Sequence, residues 1–229
     1  MISASKTLLV VGSGPGIGRA VATLFASRRY NNVVLVARRA DSLEAEKAAV
    51  EQAVGAQVKV KVCAADITDP VSLGKALDEA DAALGKPECV FFNAARVLPS
   101  AFFKHDVKEI EYDLKINVSA LYFVAERYMP HLVSLAKADP SANKPALLVT
   151  SSALPMHPIP QLFALSLVKA AQRNMVQSLN MTYAPEGVHV GVINVAGIVS
   201  PDDPERNPTN IAAKTWEWFE VGKQFEVVI

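Results

Sequence analysis

TLLVVGSGPGIG, residues 7–18, is the most informative stretch of the chain for its fold. Its first five residues form a largely apolar run, as expected for a parallel strand buried on both faces of a sheet. Four glycines follow in alternation, and an amphipathic segment extends from about Gly16 to Ser27. Glycines at such a junction permit a tight turn and let the backbone approach a pyrophosphate at the helix N-terminus. The stretch therefore predicts a nucleotide-binding turn.

Strand and helix alternate along the rest of the chain. Asp41 is a predicted N-cap for the second helix, and Asp69 followed by Pro70 predicts the start of the third. Further strands are expected at 32–37, 58–63, 90–93, 146–150, 188–194 and 225–229, and long helices at about 107–136 and 161–183. This order predicts an α/β fold, a single doubly wound parallel-sheet domain spanning residues 1–229 with right-handed crossovers.

The composition narrows the class of protein. The chain has 229 residues, 51% of them hydrophobic, and 23 basic side chains balance 23 acidic ones. This balance gives no electrostatic reason to expect nucleic acid or an acidic membrane as a partner. The two cysteines, Cys63 and Cys89, lie in or beside apolar runs and are expected to be buried and reduced. We expect a cytoplasmic protein without a membrane segment or a metal site.

Residues 147–171, LLVTSSALPMHPIPQLFALSLVKAA, resemble the catalytic stretch of the short-chain dehydrogenase/reductase family. That family places a serine at a strand end and a Tyr-x-x-x-Lys pair on the next helix. Ser152 and Lys169 match this pattern, but Leu165 occupies the tyrosine position. In an alternative register, Ser166 matches a serine that commonly precedes the lysine of this family. Phe163 then occupies the tyrosine position and Leu167 the lysine position, and both residues are apolar.

The resemblance extends over nearly the whole chain. The glycine spacing resembles the family's nucleotide turn, although Gly14 also permits the common GxGxxG register, and Ala196-Gly197 resembles the family's Pro-Gly after the sixth strand. It implies an α/β Rossmann domain in which the dinucleotide contacts Gly12, Ser13, Gly14, Gly16, Ile17, Gly18, Arg38, Arg39, Asp66, Ile67, Asn93, Ala94, Lys169 and Gly197.

The end of the second strand bears on the choice of cofactor. An acidic residue there would bind the adenosine ribose and repel a 2′-phosphate, but the chain reads Ala37-Arg38-Arg39. An arginine pairs with phosphate through its planar guanidinium, so the sequence favours NADP(H). The alternative is that these arginines belong to a solvated basic turn.

The resemblance also implies roles in catalysis. Ser152 would polarise a carbonyl, Lys169 would bind the nicotinamide ribose, and Asn117 would anchor a proton relay. Leu165 cannot transfer a proton, so the site is degenerate. His157 lies between the serine strand and the lysine helix and is a candidate acid or base, with an exposed loop histidine as the alternative.

Three functions are compatible with these residues. The first is an NADP-dependent oxidoreductase acting on a small carbonyl or alcohol without the tyrosine. The second is a non-redox enzyme, an isomerase, lyase or cyclase, that reuses the pocket. The third is an inactive NADP(H)-binding regulatory protein. About thirty residues follow Val199, which indicates a shortened substrate lid, and the two long helices resemble the pair that forms homodimers in this family.

Overall fold

The computed structural model describes residues 6–222 and 224–229, and their strands form one parallel sheet. The strands are β1 (Thr7–Val11), β2 (Asn32–Ala37), β3 (Lys59–Ala64), β4 (Cys89–Phe92), β5 (Ala146–Ser152), β6 (His189–Val195) and β7 (Glu226–Val228). Their order is β3-β2-β1-β4-β5-β6-β7, which reverses direction between β1 and β4. The predicted doubly wound α/β fold is thereby confirmed. That residues 1–229 form one domain stays a prediction.

The helices are α1 (Ile17–Arg28), α2 (Ala40–Val54), α3 (Pro70–Leu84), α4 (Val107–Leu114), α5 (Ala120–Ala138), α6 (Phe163–Tyr183) and α7 (Pro208–Val221). They cover both faces of the sheet because successive strand residues point to opposite sides. In β1, Leu9 and Val11 pack in the core shared with α3, α5 and α6. Leu8 and Val10 pack in the core shared with α1, α2 and α7. Both faces are therefore buried, as the apolar strands predicted.

The helix starts test two predicted N-caps. The Asp69 side chain accepts a hydrogen bond from the backbone N–H of Val71 at 3.0 Å, and Pro70 opens α3, so this prediction is confirmed. The prediction for Asp41 is wrong. Helix α2 starts two residues earlier than predicted, at Ala40 after the N-cap Arg39, and Asp41 lies in its first turn. An acidic residue there still interacts favourably with the positive end of the helix dipole.

The helix predicted at 107–136 is not uniform. A π-helical turn, Lys115–Ser119, separates α4 from α5. Within this turn the Asn117 side chain donates from Nδ2 to the carbonyl oxygen of Asp113 at 2.9 Å. The side-chain amide thus donates to a backbone carbonyl one turn earlier. In a regular helix that carbonyl would accept a hydrogen bond from a backbone N–H group. The irregular turn fixes where Asn117 lies relative to α6.

The aromatic C-terminal helix is a core element. Trp218 and Phe219 are buried, and the Trp216 ring meets the Phe25 ring of α1 edge to face at 4.9 Å. Helix α7 therefore covers the sheet beside α1, with its aromatic residues packed against the core. Cys63 and Cys89 are also buried and free, as expected.

Candidate active site

A cavity of about 660 Å³ opens at the carboxyl edge of the sheet, where the strand order reverses. Val11 pairs with Val36 of β2 and with Phe92 of β4, so these three strands end side by side. The loops that follow them form the cavity walls. Of the residues predicted to bind a dinucleotide, those that line the cavity are Gly12, Ser13, Gly14, Arg38, Arg39, Asp66, Ile67, Asn93 and Ala94.

The glycine turn has a backbone geometry that a larger residue would disturb. Gly12 has φ +93°, and a Cβ atom there would lie 2.4 Å from the backbone nitrogen of Ala94. A Cβ atom on Gly18 would lie 2.9 Å from the carbonyl oxygen of Gly12, which also accepts a hydrogen bond from Asn93 Nδ2 at 2.9 Å. Close packing of the turn against the β4 loop therefore requires glycine at both positions.

The turn directs the start of α1 toward the cavity. Gly16 is the N-cap of α1 and Ile17 its first residue, so the free N–H groups of the first turn lie directly after the glycine loop. Ser13 Oγ is buried and has no hydrogen-bond partner among the described residues. A helix N-terminus beside a glycine turn and an unpaired hydroxyl fit the phosphates of a dinucleotide.

The rim of the cavity next to β2 is basic. Arg38 and Arg39 are exposed, and Arg38 donates from its guanidinium to the hydroxyl oxygen of Tyr112 at 3.3 Å. The facing carboxylate, Asp66, accepts hydrogen bonds from the backbone N–H and the hydroxyl of Thr68 at 2.9 and 2.8 Å. These bonds to Thr68 lower the pKa of Asp66, so the carboxylate is ionised at neutral pH.

The position of the missing tyrosine is filled by packed aliphatic side chains. Leu165 is 6% exposed and contacts a small apolar cluster with Leu154 and Val168, against which Leu114 and Leu162 also pack. Its neighbour two residues along the helix, Leu167, is 51% exposed, which places Leu165 on the inner face of α6. No proton can be transferred by these side chains.

Lys169 is held inside the protein. Its ammonium group donates to the carbonyl oxygen of Thr150 at 2.9 Å and to Gln172 Oε1 at 2.8 Å. Gln172 Nε2 donates in turn to the carbonyl oxygen of Asn117 at 2.8 Å. Burial lowers the pKa of Lys169 to about 7, because no carboxylate compensates for the lost hydration. Lys169 and Asn117 are therefore linked through Gln172, and both lie within the protein interior.

The other predicted residues occupy separate places. Ser152 ends β5 and is partly exposed, and its Oγ accepts a hydrogen bond from the backbone N–H of Leu154 at 3.3 Å. His157 is exposed in the loop between β5 and α6. Gly197 is exposed in the loop after β6, where a Cβ atom would lie 2.9 Å from the Arg206 side chain. The catalytic roles of Ser152 and His157 stay predictions.

Sequence reasoning missed several residues at these sites, including polar ones. Ser42, Arg96 and Tyr112 line the cavity, and Gln172 bridges Lys169 to Asn117. Arg96 directly follows the Asn93-Ala94-Ala95 motif, and this position could have identified it as a candidate. Gln172 lies one helical turn after Lys169, which was a weaker signal.

A parallel sheet with a glycine turn at the reversal of strand order defines a dinucleotide-binding α/β protein. Residues 6–210 match the family model described as short chain dehydrogenase. The chain belongs to this family of oxidoreductases. Curated relatives include a glucose 1-dehydrogenase of Gluconobacter oxydans, 26% identical over 209 residues that cover 89% of this chain and 75% of the relative. Oxidoreductase UcpA of Escherichia coli is 26% identical over 220 residues, 90% of this chain and 79% of the relative.

Solved structures show the same fold. A short-chain oxidoreductase of Pseudomonas aeruginosa that contains an atypical catalytic centre aligns with a TM-score of 0.83 at 20% identity, over 98% of this chain and 95% of its own. A short-chain dehydrogenase of Sphingobium yanoikuyae in complex with NADPH aligns with a TM-score of 0.81 at 23% identity, over 97% of this chain and 87% of its own. At these identities the likeness concerns the fold.

Two further features of the residues that the structure describes concern membranes and metal ions. None of their helices combines the length and the apolar character that crossing a bilayer requires. Nor do these residues bring together three or more histidine, cysteine, aspartate or glutamate side chains that could hold a metal ion.

Proposed function

We propose that the protein binds NADP(H) in the 660 Å³ cavity. The glycine turn and the start of α1 would hold the pyrophosphate, and Asp66 with Ile67 would contact the adenine. Arg38 and Arg39 at the rim would bind the 2′-phosphate, with Ser42 as a further hydroxyl donor. The observation that carries this proposal is the basic rim at the end of β2, because it offers two guanidinium groups where a selective NAD site would offer a carboxylate.

We further propose that the protein is an NADP-dependent oxidoreductase acting on a small carbonyl or alcohol. Bound NADPH supplies the hydride. Ser152, at the end of β5, would donate its hydroxyl to the carbonyl oxygen and so polarise it. Because Leu165 cannot provide the proton, water would have to do so. A positioned acid or base contributes about 10²–10⁴-fold to a reaction rate, so turnover should be slow by about that factor.

A second candidate is an NADP(H)-binding regulatory protein. The hydrogen bonds of Lys169 favour it, because its ammonium group is occupied by Thr150 and Gln172 inside the protein. The family resemblance would place this group at the nicotinamide ribose. In a regulatory protein, NADP(H) would bind with no turnover of any carbonyl compound, and this outcome separates the two candidates.

Two further proposals concern the setting of the protein. We propose a cytoplasmic homodimer that forms through α4, α5 and α6. Outward-facing apolar side chains on these helices support this surface, with Tyr122, Leu167 and Met181 at 58%, 51% and 73% exposure. Sedimentation analysis of the wild type and Leu167→Glu tests the dimer. We expect the molar mass in solution to halve in the variant. A monomeric wild type would contradict the proposal.

The cofactor assignment is tested by reversing charge at Arg38. Hydrogen bonds to charged groups contribute about 1.5–3 kcal/mol, so Arg38→Glu should weaken NADPH binding by about 10–100-fold and NADH binding by much less. Arg28→Glu is the matched control, because Arg28 is exposed at the far end of α1. Fluorescence titration of each variant with both cofactors provides the measurement. Equal loss for NADPH and NADH would contradict the assignment.

A further inference from the structure

A chain of contacts crosses the rim of the cavity from β4 to β2. The Arg96 guanidinium, in the loop after β4, lies over the Tyr112 ring at 4.8 Å from its centroid. The Tyr112 hydroxyl accepts a hydrogen bond from the guanidinium of Arg38 at 3.3 Å. All three side chains line the cavity. Tyr112 thus joins two basic residues that come from different strands.

The charge of Arg96 is already neutralised. Its guanidinium donates to Asp113 Oδ1 at 2.7 Å and to Glu109 Oε2 at 2.6 Å, and Asp113 is 3% exposed. These contacts to two separate carboxylates hold the guanidinium over the Tyr112 ring. Arg96 is therefore a rigid support for the ring, whereas its positive charge is shared by two carboxylates.

Two groups of the protein act on Arg38, one through its charge alone and one through a hydrogen bond. One is the ionised Asp66 carboxylate, whose pKa is lowered in part by the positive charge of Arg38. The other is the neutral Tyr112 hydroxyl. A pair with Asp66 would neutralise Arg38 and place a carboxylate beside the 2′-phosphate, whereas a bond to a neutral oxygen leaves the full charge available. The choice between these partners determines how well the rim attracts phosphate.

We propose that Tyr112 is a specificity-determining residue that holds Arg38 in position for the 2′-phosphate of NADP(H). It acts through Arg38 as a positioning residue, with Arg96 fixing its ring. This inference rests on the proposed NADP(H) site and names the residue that sets its preference over NAD(H). Removal of the hydroxyl frees Arg38 to turn toward Asp66, which weakens NADPH binding and leaves NADH binding unchanged.

The test is a fluorescence titration with NADPH and with NADH on the wild type, Tyr112→Phe, Arg38→Met and the double variant. Phenylalanine keeps the ring over Arg96, so the fold is preserved. We expect Tyr112→Phe to weaken NADPH by about threefold to tenfold and NADH by less than about twofold. It should add nothing further in the Arg38→Met background, because the effect passes through Arg38. Tyr183→Phe, on a tyrosine at the end of α6 that does not line the cavity, is the matched control and should change neither affinity.

The outcomes separate this inference from the cofactor assignment. A wild type that binds both cofactors equally overturns the NADP(H) assignment and the role of Tyr112 together. If the wild type and Tyr112→Phe prefer NADPH over NADH to the same extent, only the role of Tyr112 is overturned. If Tyr112→Phe weakens NADPH binding equally in the wild-type and Arg38→Met backgrounds, the positioning role of Tyr112 is also overturned. Tyr112 would then contact the cofactor by itself.

Discussion

The nucleotide cavity and the catalytic region lie at adjacent strand ends, and their side chains differ in kind. Around the cavity, charged and polar groups face open space, with Arg38 and Arg39 exposed at the rim. Around Leu165, aliphatic side chains pack against one another, and Lys169 donates to neutral oxygens of Thr150 and Gln172. The first region has the groups needed to bind a charged dinucleotide. The second region is a small apolar core, and Leu165, in the tyrosine position, cannot transfer a proton.

Dinucleotide binding and the packing around Leu165 thus depend on separate parts of this fold. The glycine turn depends on contacts between the β1 and β4 loops, whereas the catalytic region depends on packing of α6 against β5 and the π-helical turn. A change in one region should therefore leave the other intact.

Leu165→Ala should lower the free energy of unfolding by about 2–5 kcal/mol, because it removes a buried side chain from the apolar cluster. The NADPH dissociation constant should change by less than about twofold. Val71→Ala is the control on an exposed apolar side chain of α3, with an expected loss under about 1 kcal/mol. Urea denaturation and NADPH titration are the measurements. A large loss of NADPH affinity in Leu165→Ala would show that the two regions are coupled.

Gly12→Ala should affect the cavity instead. Its positive φ and the close backbone of Ala94 predict a loss of about 1–3 kcal/mol in the free energy of unfolding. NADPH binding should weaken by about tenfold or more, because the turn that presents the α1 N-terminus has to shift. Gly14→Ala is the control for the free energy of unfolding, because nothing lies within 4 Å of its added Cβ atom. Similar losses in both variants would argue against the packed turn as the cause.

Lys169 predicts a dependence of stability on pH. Burial lowers its pKa from 10.5 to about 7 in the folded state, whereas the unfolded chain keeps the ordinary value. Between these values the unfolded state binds more protons, so the free energy of unfolding rises with pH, by up to about 1.4 kcal/mol per unit. Below about pH 7 both states are protonated and this slope disappears.

Lys169→Met removes the titrating group and serves as the reference for this prediction. Urea denaturation of both proteins between about pH 6 and 9.5 should show the wild type gaining stability relative to the variant as the pH rises. A constant difference across this range would mean that the amine stays protonated in the folded protein. Such a result would require a compensating charge near Lys169.

Much of the fold was predictable because it is encoded by neighbouring residues. Apolar runs predicted the strands, and Asp69-Pro70 predicted the start of α3, since a cap depends on residues within one turn. Helix α2 shows the limit of such local signals: Asp41 has the right chemistry for an N-cap, but the helix starts at Ala40. The glycine turn was also predictable, because the backbone geometry it requires is local.

The arrangement of the candidate site was less predictable because it depends on distant contacts. Gln172 reaches Asn117 across 55 positions of sequence, and Arg38 reaches Tyr112 across 74. Nothing in the spacing of these residues indicates that they meet. The π-helical turn that places Asn117 was likewise not signalled, since the chain around it reads as ordinary helix. Leu165 was recognised in the tyrosine position, but its packing partners became apparent only in the folded chain.

One measurement tests the separation most directly: NADPH titration of the wild type, followed by turnover of NADPH with a panel of ketones and aldehydes. Typical enzymes turn over at about 10 s⁻¹, and loss of the acid/base costs about 10²–10⁴-fold, which gives about 0.1 to 0.001 s⁻¹ or less. We predict saturable NADPH binding, tighter than NADH binding, together with turnover at or below that range. Turnover near 10 s⁻¹, or the absence of saturable binding, would contradict the account.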